Sequence, residues 1–192
     1  MKSIELKGAV RENLGKKGSK KIRTNEQVPC ILYGGEKNIY FSVVERDLKP
    51  ILYTPEVYLI KLDVDGKQYT AKIQDIQFHP VSDSPIHIDF LQVFDDKKVT
   101  IELPVKVNGS SVGVREGGKL TQELRKLKVK GFIKDLPNEI NLDITELALG
   151  KSMRVGDLNF QGFEILNIKT NPVVSVRATR ASRNAAEEAA KS

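Results

Sequence analysis

The chain has 192 residues, 40% of them hydrophobic and 29% charged, and carries a formal net charge of +6. Length and composition favour one or two compact domains and exclude a chain that is disordered throughout. No run approaches the roughly 18 apolar residues of a membrane span, and the first ten residues lack the apolar core of a signal peptide. With one cysteine and two histidines, the chain has neither an internal disulfide nor a zinc-binding motif, and we expect no metal and no cofactor. Because no membrane span and no signal peptide are predicted, we expect a cytoplasmic protein.

The positive charge is concentrated at one end of the chain. Residues 1–23 contain eight Lys and Arg against two Glu, and the remaining residues carry 23 charges of each sign. A localised basic segment in an otherwise neutral protein indicates a surface that binds a polyanion.

Short strands are predicted along the first part of the chain. Residues 3–10 alternate like a strand, the basic run GKKGSKKIR is expected to be a loop that leads into a short helix, and VPCILYGG and IYFSV predict two more strands. The S-x-x-E pattern from Ser42 to Glu45 predicts a capping box. The helix after it, from residue 43 to about 53, contains Pro50, which should kink or shorten it.

A hairpin and a closing strand complete the first unit. Two alternating strands meet at Asp65-Gly66, a dipeptide typical of a tight hairpin turn. PIHIDFLQV then forms the closing strand. We expect this unit to occupy residues 1–94.

A second unit, rich in β-strands, is expected at residues 95–178. It opens with the polar DDKK, and its later segments keep a two-residue period between Gly, Pro and Asn turns. Residues 144–158 carry one short helical turn at most, because two glycines interrupt them. Residues 179–192 are rich in alanine and charge with no apolar face, which predicts a disordered tail.

The basic run from Gly15 to Arg23 is the strongest functional feature. Flexible backbone can follow a sugar-phosphate surface, lysines neutralise phosphates, and arginine forms bidentate contacts. Ser19 adds a hydroxyl. A solvated basic face with no ligand explains about half of such runs, but its isolation in a neutral protein favours RNA. The run lacks P-loop spacing, so nucleotide hydrolysis is not supported.

Three further side chains have the chemistry for contacts with RNA. Tyr33 stands at a strand end before glycine, which suits stacking on a base, although a buried tyrosine above an ordinary turn is the commoner case. His87 and Asp89 lie on one face of a strand and could hydrogen-bond a base edge or a 2′-hydroxyl, or form half of a hydrolytic site. No nucleophile or metal motif accompanies them, and Cys30 lies in an apolar strand, which predicts an inert thiol.

Three segments in this order and spacing closely resemble the bacterial ribosomal protein L-twenty-five family: VRENLGKKGSKKIR, VPCILYGG and QDIQFHPVSDSPIHIDFLQV. The family pattern covers about residues 4–93, and the rest resembles the additional β domain of the longer Ctc, or general stress protein, subfamily. The resemblance implies a mostly β protein with short helices: an N-terminal six-stranded β-barrel-like domain that binds the loop E region of 5S ribosomal RNA, and a C-terminal β-rich domain.

The resemblance also implies the RNA-binding residues, by matching positions: Arg11, Gly15, Lys16, Ser19, Lys20, Lys21, Arg23, Tyr33, Gly34, His87 and Asp89. The basic side chains would contact phosphates and sugars, while Tyr33, His87 and Asp89 would make directional contacts. Lysine occupies positions 20 and 21, where arginine is common in the family, which keeps the charge but removes the planar fork. A carboxylate near RNA is repulsive unless it accepts a hydrogen bond, so Asp89 is expected to bind an amino group or to orient His87.

The leading hypothesis is therefore a non-enzymatic component of the large ribosomal subunit that binds 5S ribosomal RNA, with no membrane and no small-molecule substrate. Its second unit indicates no partner type and could contact neighbouring ribosomal proteins. The alternatives are an RNA-binding stress or accessory protein that is not stably part of the ribosome, an RNA-acting enzyme using His87 and Asp89, and an accessory fragment related to the anticodon-binding barrel of a tRNA synthetase.

Overall fold

The computed structural model describes residues 1–180, which form two compact units that divide between Lys97 and Lys98. Most of the predicted tail, residues 181–192, lies outside the described residues.

The N-terminal unit is a closed barrel of six strands. Around the barrel they run in the order β1-β3-β2-β6-β5-β4, and β4 closes on β1. Two of the neighbouring pairs, β1 with β4 and β2 with β6, are parallel, and the other four are antiparallel. The predicted six-stranded barrel is thus confirmed. Its strands are β1 (Lys2–Val10), β2 (Gln27–Tyr33), β3 (Ile39–Val44), β4 (Tyr58–Val64), β5 (Lys67–Phe78) and β6 (Pro85–Gln92).

Alternate side chains of these strands fill the barrel. Inward positions are apolar and almost fully buried, and the Phe41 and Phe90 rings lie at its centre with their centroids 5.5 Å apart. The predicted hairpin is confirmed at Asp65 and Gly66, whose φ angles of 50° and 80° fit the primed turn that matches strand twist. Because the barrel is closed, its strands expose no free edge to other chains.

The basic run is a helix, not the predicted loop. Helix α1 spans Lys16–Thr24, and the Ser19 amide donates to the Gly15 carbonyl oxygen in its first turn. Lysine and arginine are good helix formers, and one interior glycine is a small cost. Gly18 also has a packing reason, since a Cβ there would stand 2.5 Å from the Asn13 carbonyl oxygen.

The second helix, α2 (Glu45–Leu52), starts later than predicted and lacks the capping box. Ser42 lies inside β3, and its hydroxyl donates to the Gln27 side chain at 3.2 Å rather than accepting from the helix. Pairing of β3 with both neighbours keeps this residue in the sheet. Pro50 lies in the last turn, and the helix ends two residues beyond it, as expected for a shortened helix.

The second unit is β-rich, as predicted. It has a four-stranded sheet in the order β10-β7-β9-β12 and a three-stranded sheet in the order β11-β13-β8. A single-turn helix, α3 (Val112–Arg115), was not predicted; the Ser111 hydroxyl accepts from the Val114 amide at its start. The strands are β7 (Val99–Asn108), β8 (Lys119–Gln122), β9 (Lys126–Gly131), β10 (Ile140–Asp143), β11 (Ser152–Arg154), β12 (Phe163–Ile165) and β13 (Pro172–Arg177), with 3₁₀ turns at Ile133–Asp135 and Val155–Asp157.

We predict that Phe90→Ala lowers the free energy of unfolding of the N-terminal unit by about 3–5 kcal/mol, because it leaves a cavity in a fully buried core. The matched control is Phe78→Ala, which truncates a ring on β5 that is 41% exposed and should cost about 1 kcal/mol or less. Amide hydrogen exchange of the barrel strands measures this unit separately from the second one. Equal losses of unfolding free energy in the two variants would contradict a buried Phe90 and an exposed Phe78.

Candidate nucleic-acid interface

The outer wall of the barrel brings together side chains from four strands. Strand pairing places Ile31 opposite both Tyr40 and Asp89, and Asp89 opposite Asp75. These four residues form one row across β3, β2, β6 and β5. Because side chains alternate along a strand, Tyr33 projects from the same face of β2, next to this row.

His87 and Asp89 form a hydrogen-bonded pair on this wall. The His87 Nδ1 lies 2.8 Å from the Asp89 Oδ1, and the two side chains are 29% and 32% exposed. With Nδ1–H donating to the carboxylate, the ring orientation is fixed and Nε2 is the ring nitrogen that a ligand can reach. The carboxylate keeps accepting capacity for an amino group.

Tyr33 ends β2 beside this pair. Partial burial, followed by the negative charges of Asp89 and Asp75, raises the pKa of its hydroxyl, so the group is a protonated donor at neutral pH. Gly34 follows at φ +95°, and a Cβ there would stand 2.7 Å from the Leu91 Cδ1. The positive φ favours glycine at this position, where the chain leaves the barrel wall.

Helix α1 packs against β2 and has two distinct faces. Positions 18, 19 and 22 follow helical spacing and face the protein, although none of the helix residues is fully buried. The opposite face carries four exposed lysines: Lys16, Lys17, Lys20 and Lys21. Of these, Lys17 was not among the predicted contacts, although its charge in the basic run could have identified it.

The two arginines form hydrogen bonds within the protein. Arg11 donates from Nη2 to the Ser19 Oγ at 3.0 Å and to the Asn13 carbonyl oxygen at 3.3 Å. Arg23 donates from Nε to the Ile86 carbonyl oxygen at 3.1 Å, in the strand residue before His87. The predicted RNA-binding positions therefore lie on one connected surface that joins α1 to β6.

Two polar residues on this surface were missed in the sequence. Asp75 lies opposite Asp89 and Gln77 lies opposite His87 across the β5–β6 pairing. The alternation of polar and apolar residues along β5 is visible in the sequence. However, β5 contains a bulge between Ile73 and Asp75 that shifts its register with β6. A face assignment by simple alternation from the hairpin would therefore have been wrong.

Cys30 does not belong to this surface. It is fully buried in the barrel, and burial raises the pKa of its thiol far above the ordinary value. The thiol donates to the Val28 carbonyl oxygen at 3.4 Å. Its environment is that of an inert core thiol.

Two protein-family models match the chain. The Ribosomal L25p family matches residues 6–90, and the family of the ribosomal protein TL5 C-terminal domain matches residues 98–180. None of the helices within residues 1–180 has the length and apolar character required to cross a membrane.

Characterised relatives match over nearly their whole length. A protein of Phocaeicola vulgatus is 45% identical over 100% of both chains, one of Azobacteroides pseudotrichonymphae is 46% identical over 96% of this chain and 98% of its own, and one of Porphyromonas gingivalis is 45% identical over 97% and 98%. Each is named large ribosomal subunit protein bL25.

The barrel and the β-rich second unit thus define a class, the two-domain ribosomal proteins with an L25p domain and a TL5-type C-terminal domain. Within it, this chain belongs to the bL25 family, whose members are structural, non-enzymatic components of the large ribosomal subunit. The prediction that the chain is not an enzyme is confirmed. The full-length match gives no support to a fragment related to a tRNA synthetase.

We predict that the Cys30 thiol of the folded protein reacts with iodoacetamide at pH 8 far more slowly than the thiol of the denatured protein. A raised pKa keeps the group in its unreactive thiol form at this pH, and burial blocks access. Mass spectrometry follows labelling, and Cys30→Ser is the blank because the chain has one cysteine. Comparable rates in the two states would contradict the buried position.

Proposed function

We propose that this chain binds 5S ribosomal RNA in the large ribosomal subunit through helix α1 and the outer wall formed by β2, β6 and β5. The observation that carries the proposal is the connected surface itself. Four exposed lysines lie on α1, which packs against β2 and is hydrogen-bonded through Arg23 to β6, the strand that carries His87 and Asp89. The same surface thus carries positive charge for the phosphates of RNA and hydrogen-bonding groups for its bases.

The lysine face supplies the affinity. Neutralised phosphates release condensed counterions, so each contact strengthens binding and makes it dependent on salt. The helix concentrates these charges within about two turns, and the charges of residues 24–192 sum to zero. RNA should therefore meet the protein at α1 and not over its whole surface.

The barrel wall supplies the selectivity. The groups available are the Tyr33 hydroxyl, the His87 Nε2 and the Asp89 carboxylate, with Asp75 beside them. Two carboxylates directly opposite one another repel and would also repel a regular phosphate backbone. They suit an RNA surface that presents amino groups or hydroxyls, such as the wide minor groove of an internal loop with irregular pairs.

The second unit has a different role in this proposal. Residues 98–180 carry 14 Lys and Arg against nine Asp and Glu, a net charge of +5 over 83 residues, whereas residues 1–23 carry +6 over 23. Their positive charge is therefore much less concentrated than that of the N-terminal segment. We assign to them contact with neighbouring ribosomal proteins. The chain would then act in the cytoplasm, on the ribosome.

Lys20→Ala/Lys21→Ala should weaken binding to 5S RNA and lower the slope of log K against log salt by about 1.4 to 1.8, because two phosphate contacts are lost. The measurement is a binding titration across a salt series with 5S RNA and with a regular duplex of equal length. The parent is expected to prefer 5S RNA.

A matched control removes the same charge elsewhere. Lys126→Ala/Lys130→Ala deletes two exposed lysines of β9 in the second unit and should leave the slope unchanged. Equal losses in both variants would mean a diffuse electrostatic attraction. A parent that binds the duplex as tightly as 5S RNA would overturn the proposed function.

Asp89→Ala is predicted to reduce the preference for 5S RNA over the duplex by roughly fivefold or more, because it removes an acceptor and frees the His87 ring. Duplex affinity should stay the same or rise, since a negative charge is lost. The ratio of the two affinities is the readout. Binding of 5S RNA as tight as that of the parent would exclude a role for this carboxylate.

A further inference from the structure

Helix α1 has little apolar packing to hold it in place. It has nine residues, none of them fully buried, and its protein-facing side consists of Gly18, Ser19 and a half-buried Ile22. An isolated helix of this length is marginal in water, so tertiary contacts must fix it. Four lysines on one surface add mutual repulsion that opposes the helix.

The two arginine hydrogen bonds provide contacts of this kind. Arg11 ties the end of β1 to the middle of α1 through the Ser19 hydroxyl, and Arg23 ties the last turn of α1 to the backbone of β6 at Ile86. Gly18 lies against the Asn13 backbone between them. The helix is thus held near its middle and near its end.

The surroundings of Arg11 indicate that its guanidinium is directed into the protein. Its Nε is shielded from solvent, and burial lowers the pKa of this side chain, with a smaller contribution from the charge of Arg23. A group placed to collect phosphate would instead extend into water, as the four lysines do.

We infer that Arg11 and Arg23 are positioning residues that hold the lysine face of α1 in register with the barrel wall, acting on RNA through the lysines. The inference rests on the proposed function, and it changes the part assigned to these two arginines. By charge and type they were expected to contact phosphates directly. Here Arg11 Nη2 donates to Ser19 and Asn13, and Arg23 Nε donates to Ile86 of the same chain.

Positioning and direct contact differ in how their effects combine. If Arg23 acts by placing the lysines, its removal matters only while the lysines are present. If Arg23 contacts RNA independently, the losses from the two sites multiply, as they do for separate interactions. A double-mutant cycle between Arg23→Lys and Lys20→Ala/Lys21→Ala separates the two roles, and Arg23→Lys keeps the charge.

The expected result is a loss of 5S RNA affinity of about three- to tenfold for Arg23→Lys in the parent and less than about twofold in the background without Lys20 and Lys21. Arg46→Lys, on an exposed arginine of α2, is the control and should have no effect in either background. Losses that multiply across the cycle would overturn the inference.

Amide hydrogen exchange of the free protein tests the same inference without RNA. Arg23→Lys and Ser19→Ala should each speed exchange of α1 amides severalfold and leave the barrel strands unchanged. Ser19→Ala removes the hydroxyl that accepts from Arg11 and leaves the half-buried arginine in place. This variant therefore tests the inference even if Arg11 variants do not fold. Unchanged exchange in α1 would also overturn the inference.

The two proposals fail in different ways. If the parent does not prefer 5S RNA to a duplex, the proposed function is wrong and positioning for RNA is wrong with it. Faster exchange in α1 of the variants would then still show that these arginines hold the helix. If the parent prefers 5S RNA but the cycle is multiplicative, only the positioning role is excluded.

Discussion

The parallel pairing of β2 with β6 is the contact on which the candidate site depends. It joins segments about 58 residues apart in sequence, placing Cys30 opposite Ile88 and Ile31 opposite Asp89. The inward positions of this pair are fully buried in the barrel core. A slip of one residue would turn His87 and Asp89 inward and expose the core, so hydrophobic burial fixes the register that aligns the polar face.

Much of the N-terminal unit could be predicted because its signals are local. The alternation of β1, β2 and β6 and the Asp65-Gly66 turn determine strands and a hairpin without reference to the rest of the chain. Closure of the barrel came from the resemblance of three segments to a known family. Neither the parallel partners of β2 nor the bulge in β5 can be obtained from alternation alone, because both depend on distant strands.

The errors near the site have a common physical origin. Glycines in the basic run favoured a loop, and the S-x-x-E pattern at Ser42 favoured a helix start. In the structure, Gly18 is where α1 approaches the Asn13 backbone, and Ser42 is paired in β3. Both local preferences are overridden by tertiary contacts, and propensity is a weak guide where such contacts decide.

In the proposed function, the distribution of charge would let one small domain bind RNA strongly and still discriminate between RNAs. A surface made only of lysines would attract any nucleic acid, because attraction to phosphates carries no sequence information. Here four exposed lysines are grouped on α1, while the neighbouring wall carries Asp75 and Asp89 opposite each other. A regular duplex laid across both would gain from the helix and be repelled by the wall. An RNA whose shape turns phosphates towards α1 and hydrogen-bond donors towards β5 and β6 satisfies both, so the acidic pair converts general attraction into selection by shape.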